Sequence, residues 1–193
     1  MIQFYKPNPK NTGCGCSFKI SAKDDCVFVN LIKQSSWDES KKRGSFAGNA
    51  QNPKMSASVK LSSTEVGDII SAMRRNAEFT GFHDSQKQVT RIKFSPYMRG
   101  TKDNPSEMAQ VGYSFSVSKE SKENAQDKTS FLMGFTFGEA IKLESYFALS
   151  LAKIFEKAIQ DQDNRSAATT QAAPPAPKKE EAPKPESSDE DLW

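Results

Sequence analysis

The residue types that most often carry catalysis are sparse in this chain of 193 residues. The one histidine, His83, falls in a turn-rich stretch, EFTGFHD, where a lone imidazole is ordinarily a surface residue. Carboxylates pair at Asp24 and Asp25, in a turn, and at Asp189 and Asp191, in a polar tail. Neither place offers the fixed geometry that acid–base work requires. Cys14, Cys16, Cys26 and His83 are numerous enough for a zinc ion, but the C-x-C spacing is tighter than a structural zinc knuckle. Walker, dinucleotide-binding and metalloprotease motifs are absent. The expectation is a protein that is not an enzyme and uses no cofactor or metal.

Cations and aromatic rings are the residues that remain. Lysines and arginines neutralise phosphates, and rings stack on bases whatever the sequence. The candidate cations are Lys19, Lys33, Lys41, Lys42, Arg43, Lys60, Arg91, Lys93, Arg99 and Lys102. The candidate rings are Phe28, Trp37, Phe46, Phe94 and Tyr97; Tyr113 also qualifies by type, but its alternation argues for the core. The run Trp37, Lys41, Lys42, Arg43, Phe46 is the most concentrated, because a tryptophan in a polar loop has no obvious packing duty.

These residues need strands and loops to hold them. Cys14, Cys16, Phe18 and Ile20 alternate with Gly15, Ser17 and Lys19, which predicts a half-buried strand. Residues 26–33 predict a second, with Val27, Val29 and Leu31 inward and Phe28 and Ile32 on the other face. Residues 34–53 read as a long irregular loop. A strand at 55–61, with Lys60 on the side away from Met55, Ala57 and Val59, runs into a helix announced by a capping box, Ser62 with Glu65. Residues 89–94 predict a short strand with Arg91 and Lys93 on one face, and 96–105 a loop. Residues 110–118 alternate with Val111, Tyr113, Phe115 and Val117 on one side.

Residues 131–160 then repeat the earlier pattern. Phe131, Met133, Phe135 and Phe137 alternate as a strand; Leu143, Phe147, Leu151, Ile154, Phe155 and Ala158 follow at helical steps, ending near Asp161. The matching words VKL at 59–61 and IKL at 141–143 suggest two copies of a strand-then-helix unit. The expected fold class is therefore α+β, two strand-rich units each closed by a helix.

Charge divides the chain. Residues 1–165 hold 24 Lys and Arg against 18 Asp and Glu; residues 166–193 hold 3 against 6. A basic body with an acidic end follows. Residues 1–13, punctuated by Pro7, Pro9 and Gly13, read as an N-terminal arm. Residues 14–163 read as a nucleic-acid-binding domain, and 164–193 as a linker rich in Ala and Pro with an acidic tip. Three cysteines that cannot all pair, no apolar leader and no spanning helix predict a cytoplasmic protein.

The tip Asp189, Glu190, Asp191, Leu192, Trp193 resembles the acidic tails of bacterial and phage single-stranded DNA-binding proteins. That resemblance implies a body that coats single-stranded DNA in replication, recombination or repair. It also implies a tail that recruits a polymerase, primase, helicase or recombinase. The repeated organisation over 14–161 resembles Whirly-type and transcriptional-coactivator-type single-strand binders. An OB barrel, interrupted by one helix, is the alternative fold. The resemblance also implies homo-oligomers. An RNA binder of similar shape and a virion scaffolding protein are the other functional readings.

Overall fold

The computed structural model describes residues 1–100, 106–124 and 126–171, the last five by backbone alone. It divides the chain into Met1–Ile159 and Gln160–Trp193. The first part holds two four-stranded antiparallel sheets, each followed in sequence by a helix.

Alternation builds the first sheet. Strands β1 (Ile2–Lys6), β2 (Cys14–Ser21), β3 (Cys26–Lys33) and β6 (Ser56–Ser62) lie side by side in that order. Ile2, Phe4, Phe18, Val27, Val29, Leu31, Val59 and Leu61 all point to the core side. The first residues are thus no free arm: β1 pairs along its whole length with β2, and Ile2 and Phe4 are buried. Burial of those two side chains holds the N-terminal segment on the sheet.

Residues 34–53 are also more ordered than expected. Short strands β4 (Ser36–Asp38) and β5 (Arg43–Ser45) form a hairpin between β3 and β6. The buried side chain of Gln34 organises this region. Its amide accepts from the Asn8 backbone N–H at 2.8 Å and donates to the carbonyls of Asn8 and Ser36 at 3.0 and 2.9 Å.

Helix α1 (Ser63–Arg74) begins at the expected box. Ser62 accepts from the Glu65 N–H, and the Glu65 carboxylate accepts from the Ser62 N–H at 2.9 Å. Its buried residues Val66, Ile69, Ile70 and Met73 recur at helical steps.

The second sheet runs β7 (Phe79–Asp84), β8 (Gln88–Gly100), β9 (Met108–Ser121) and β10 (Lys128–Phe135). The stretch holding His83 is therefore a strand, not a turn-rich link. Residues 97–100, expected in a loop, continue β8 through Pro96 and pair with β9. A register shift between Tyr97 and Met98 leaves Val111 opposite no partner. Past it Gly112 has φ +150, and a Cβ there would lie 1.9 Å from the Phe135 carbonyl. The bulge turns Val111 out to solvent while Tyr113, Phe115 and Val117 stay inside.

Helix α2 (Phe137–Gln171) starts earlier and ends later than its apolar stripe suggests. A second capping box starts it. Thr136 N–H donates to Glu139 Oε2 at 2.9 Å, and Glu139 N–H donates to Thr136 Oγ1 at 3.3 Å. Ala140, Leu143, Phe147 and Ile154 are buried, whereas Phe155 is exposed. The second VKL-like word therefore lies inside a helix, and the first inside β6; they are not equivalent positions.

Phe18 sits where the sheets and α2 meet. Its ring is 6.0 Å from Phe115, 6.4 Å from Phe135 and 5.3 Å from Phe147. Neither sheet closes on itself, so the OB barrel does not hold. No helix among the described residues is long and apolar enough to cross a membrane.

Candidate nucleic-acid interface

Three of the expected site residues come together on the side of the first sheet that faces away from the core. Lys19, Phe28 and Lys60 stand directly opposite one another on β2, β3 and β6. Side chains so placed are neighbours, with Cβ atoms about 5 Å apart. The Phe28 ring, half-buried, lies between two exposed lysines that make no ion pair among the described residues. The same face shows Gln3, Tyr5, Ser17, Asn30, Ile32 and Ser58; carboxylates approach it at one end, where Asp24 accepts from the Ser21 hydroxyl and Glu65 from the Ser62 hydroxyl.

The second sheet presents its cations differently. Arg91 and Lys93 point outward as expected, but each has an acidic partner. Arg91 pairs with Glu120 at 3.2 Å and also lies over the Phe82 ring at 5.8 Å; Lys93 pairs with Glu78 at 2.6 Å. Tyr97 is exposed on this face, and Arg99 is exposed further along β8. The resulting floor of serines and paired charges has less net positive potential to offer a phosphate chain than the first sheet.

Two expected residues prove to have other duties. Phe94 is fully buried and stacks on Tyr113, centroids 5.3 Å apart, because it alternates with Arg91 and Lys93 and so points inward. It is withdrawn from the interface. Lys33 leaves the Phe28 face as well. It shares the inward parity of Leu31, and its ammonium sits 5.1 Å from the Phe131 ring of β10. There it borders a cavity of about 520 Å3 with Cys14, Met55 and Leu132.

The hairpin keeps its charge but loses its free tryptophan. Lys41, Lys42 and Arg43 are exposed at the turn, with Lys41 within 3.8 Å of Asp38. Trp37 is half-buried opposite Gly44, and its enclosed indole N–H finds no hydrogen-bond partner among the described residues. Phe46 is half-buried and meets Tyr5 at 5.4 Å. Lys102 and the tip residues Asp189, Glu190, Asp191, Leu192 and Trp193 lie outside the described residues.

Sequence reasoning missed Tyr5, Asn30 and Lys119. The alternation of Ile2 and Phe4 with Gln3 and Tyr5 carried the signal for the first. Lys119 carried none. It ends up in a cleft of about 550 Å3 between β6 and β9, donating to the Ser58 carbonyl at 3.0 Å. Burial pushes its ammonium below the usual lysine range.

Cysteine chemistry is muted. All three thiols are buried and unpaired, and burial raises Cys14 to about 11, so it stays a neutral thiol. No cluster of three or more metal-ligating side chains occurs among the described residues.

No protein-family model matches this chain. No curated protein matches it either. Solved structures do. WHY1 from Arabidopsis thaliana superposes with a TM-score of 0.56 over 87% of this chain and 92% of that one, at 16% identity. The fold is Whirly-like. WHY3 from the same plant gives 0.55 at 16% identity, over 87% of this chain and 95% of its own. The plant transcriptional regulator PBF-2 gives 0.52 at 16%, over 90% and 87%. Identity this low speaks to the Whirly-like architecture, two sheets each followed by a helix, and to nothing finer.

Proposed function

We propose that this protein binds single-stranded DNA without cutting it, and that the outward face of the first sheet is the principal contact. The observation that carries the reading is the row Lys19, Phe28, Lys60, whose two ammoniums make no ion pair among the described residues. Two ammoniums on either side of a ring suit a phosphate chain whose bases stack. The exposed Lys41, Lys42 and Arg43 of the hairpin extend the cationic surface, and the Whirly-like fold, seen in a plant transcriptional regulator, adds support.

Binding of this kind protects exposed strands during replication, recombination or repair. It also melts hairpins by favouring the unpaired form. The acidic tip 189–193 recruits a replication or recombination protein, with Leu192 and Trp193 entering an apolar pocket and the carboxylates meeting a basic rim. Copies of the chain assemble, since open sheet edges are free to pair. A phage-encoded protein acting in the host cytoplasm fits this set of roles.

The test is titration of a fluorescent unstructured DNA oligonucleotide over a salt series. Micromolar or tighter binding that weakens with salt is expected. The double variant Lys19→Gln with Lys60→Gln should flatten the log–log salt slope by about 1 to 2. Binding by the parent that ignores salt, or is absent, defeats the reading. A matched RNA oligonucleotide bound more tightly than DNA would make it an RNA binder.

A further inference from the structure

One step along the strands from Phe28, the outward face of the first sheet is hollowed into a cavity of about 260 Å3. That is small beside drug-sized pockets of roughly 300–1,000 Å3, and suits a single planar group. Its floor is polar. Ser17, Asn30 and Ser58 stand opposite one another on β2, β3 and β6, and their side chains form no hydrogen bond among the described residues. Asn30 is exposed at the centre of that row.

Its walls are fixed. Tyr5, half exposed, crosses over Gly15, where a Cβ would stand 2.8 Å from the tyrosine ring. Phe46 braces the same ring. On the far side Ala50 is held in place. The Ser56 hydroxyl donates to its carbonyl at 2.9 Å, and the Asn49 amide next to it donates to the Lys33 carbonyl at 2.9 Å. A ring wall beside an uncommitted amide is complementary to a flat aromatic ligand with hydrogen-bonding groups on its edge.

We propose that this cavity takes one adenine base of the bound strand, stacked on Tyr5 and read at its edge by the Asn30 amide. The idea rests on the single-strand reading above. An asparagine amide offers a donor and an acceptor side by side, which match the N6 amino group and N7 of adenine. Two residues along a strand advance about 7 Å, so a chain stacked on Phe28 reaches the cavity without a break. The protein then binds strands broadly through Lys19 and Lys60, and sets its register on them by one adenine.

The experiment compares two short oligonucleotides: oligo(dT), and oligo(dT) with one central dA. The parent full-length chain should prefer the dA probe by about fivefold or more. Asn30→Ala should bind both equally, with the salt slope unchanged. Tyr5→Ala should weaken both by roughly fivefold or more. Both side chains are exposed, and an unchanged circular dichroism spectrum confirms that the variants fold. A parent that does not distinguish the probes, or an Asn30→Ala chain that still does, overturns the adenine pocket and leaves the single-strand reading standing. A parent that binds neither probe overturns both.

Discussion

At the scale of single residues, two phenylalanines of the same type have opposite duties, and mutation separates them. Phe94 has no exposed surface, and Phe28 sits on the outward row between two lysines. Phe94→Ala should cost about 3–5 kcal/mol of stability in chemical denaturation, since it empties a packed site against Tyr113. Phe28→Ala should leave the unfolding midpoint nearly where it was and weaken DNA binding by roughly tenfold. Equal losses of stability in the two variants would remove Phe28 from the interface. The period-two pattern was enough to put Phe28, Lys19 and Lys60 on one face, because neighbouring side chains in a strand must alternate. The same rule applied to 89–94 would have set Phe94 apart from Arg91 and Lys93. What pattern could not supply was pairing: the carboxylates that occupy Arg91 and Lys93 come from Glu120 and Glu78, and only the fold brings them near.

At the scale of elements, the internal repeat lies in the capping boxes. Ser62 with Glu65 and Thr136 with Glu139 stand at the starts of α1 and α2, each just after the last strand of its sheet. Each box glutamate is then gripped by the first-numbered sheet strand of the other unit. His83 of β7 meets Glu65 Oε1 at 2.7 Å, and Lys6 of β1 meets the Glu139 oxygens at 2.5 and 2.7 Å. The helices cross over in the same way. Tyr113 of the second sheet donates its hydroxyl to the Met73 carbonyl of α1, and Tyr146 of α2 accepts from the Ile20 N–H of the first sheet. Two sheets and two helices are thereby tied reciprocally. Helix existence was legible from the stripes, and the first helix start from its box. The hairpin at β4 and β5 was not, since it depends on Gln34 reaching the Asn8 backbone 26 residues away. The Lys6–Glu139 tie carries a pH signature. Burial acts to raise the Glu139 carboxyl, but the hydrogen bonds from Lys6 and Thr136 and the Lys6 charge outweigh it, so the group lies below its ordinary 4.5. Its stabilisation is complete above that value and is lost as pH falls through the lower folded one. Glu139→Gln should therefore be less stable than the parent at neutral pH and lose less further stability between about pH 5 and pH 3. Parallel stability–pH curves for the two proteins would show that the tie contributes nothing.

At the scale of the whole molecule, charge is the organising quantity. The chain up to Gln171 holds 24 Lys and Arg against 18 Asp and Glu, and residues 172–193 hold 3 against 6. The excess of acid beyond residue 171 is joined to a body whose first sheet presents Lys19 and Lys60 outward, so the acidic residues should compete with nucleic acid for those cations. A form ending at Gln171 should bind an unstructured DNA oligonucleotide more tightly than the full chain at low salt. The gap should close as salt rises, because screening weakens the tail's attraction along with that of the DNA. The comparison is made by fluorescence anisotropy at several ionic strengths with both proteins. Removing Leu192 and Trp193 alone leaves the acidic residues in place, so that variant should bind DNA as the full chain does and lose capture of the partner protein. A tail that merely aids solubility predicts otherwise: truncation at Gln171 leaves affinity unchanged at every salt concentration, and trimming the last two residues leaves partner capture intact.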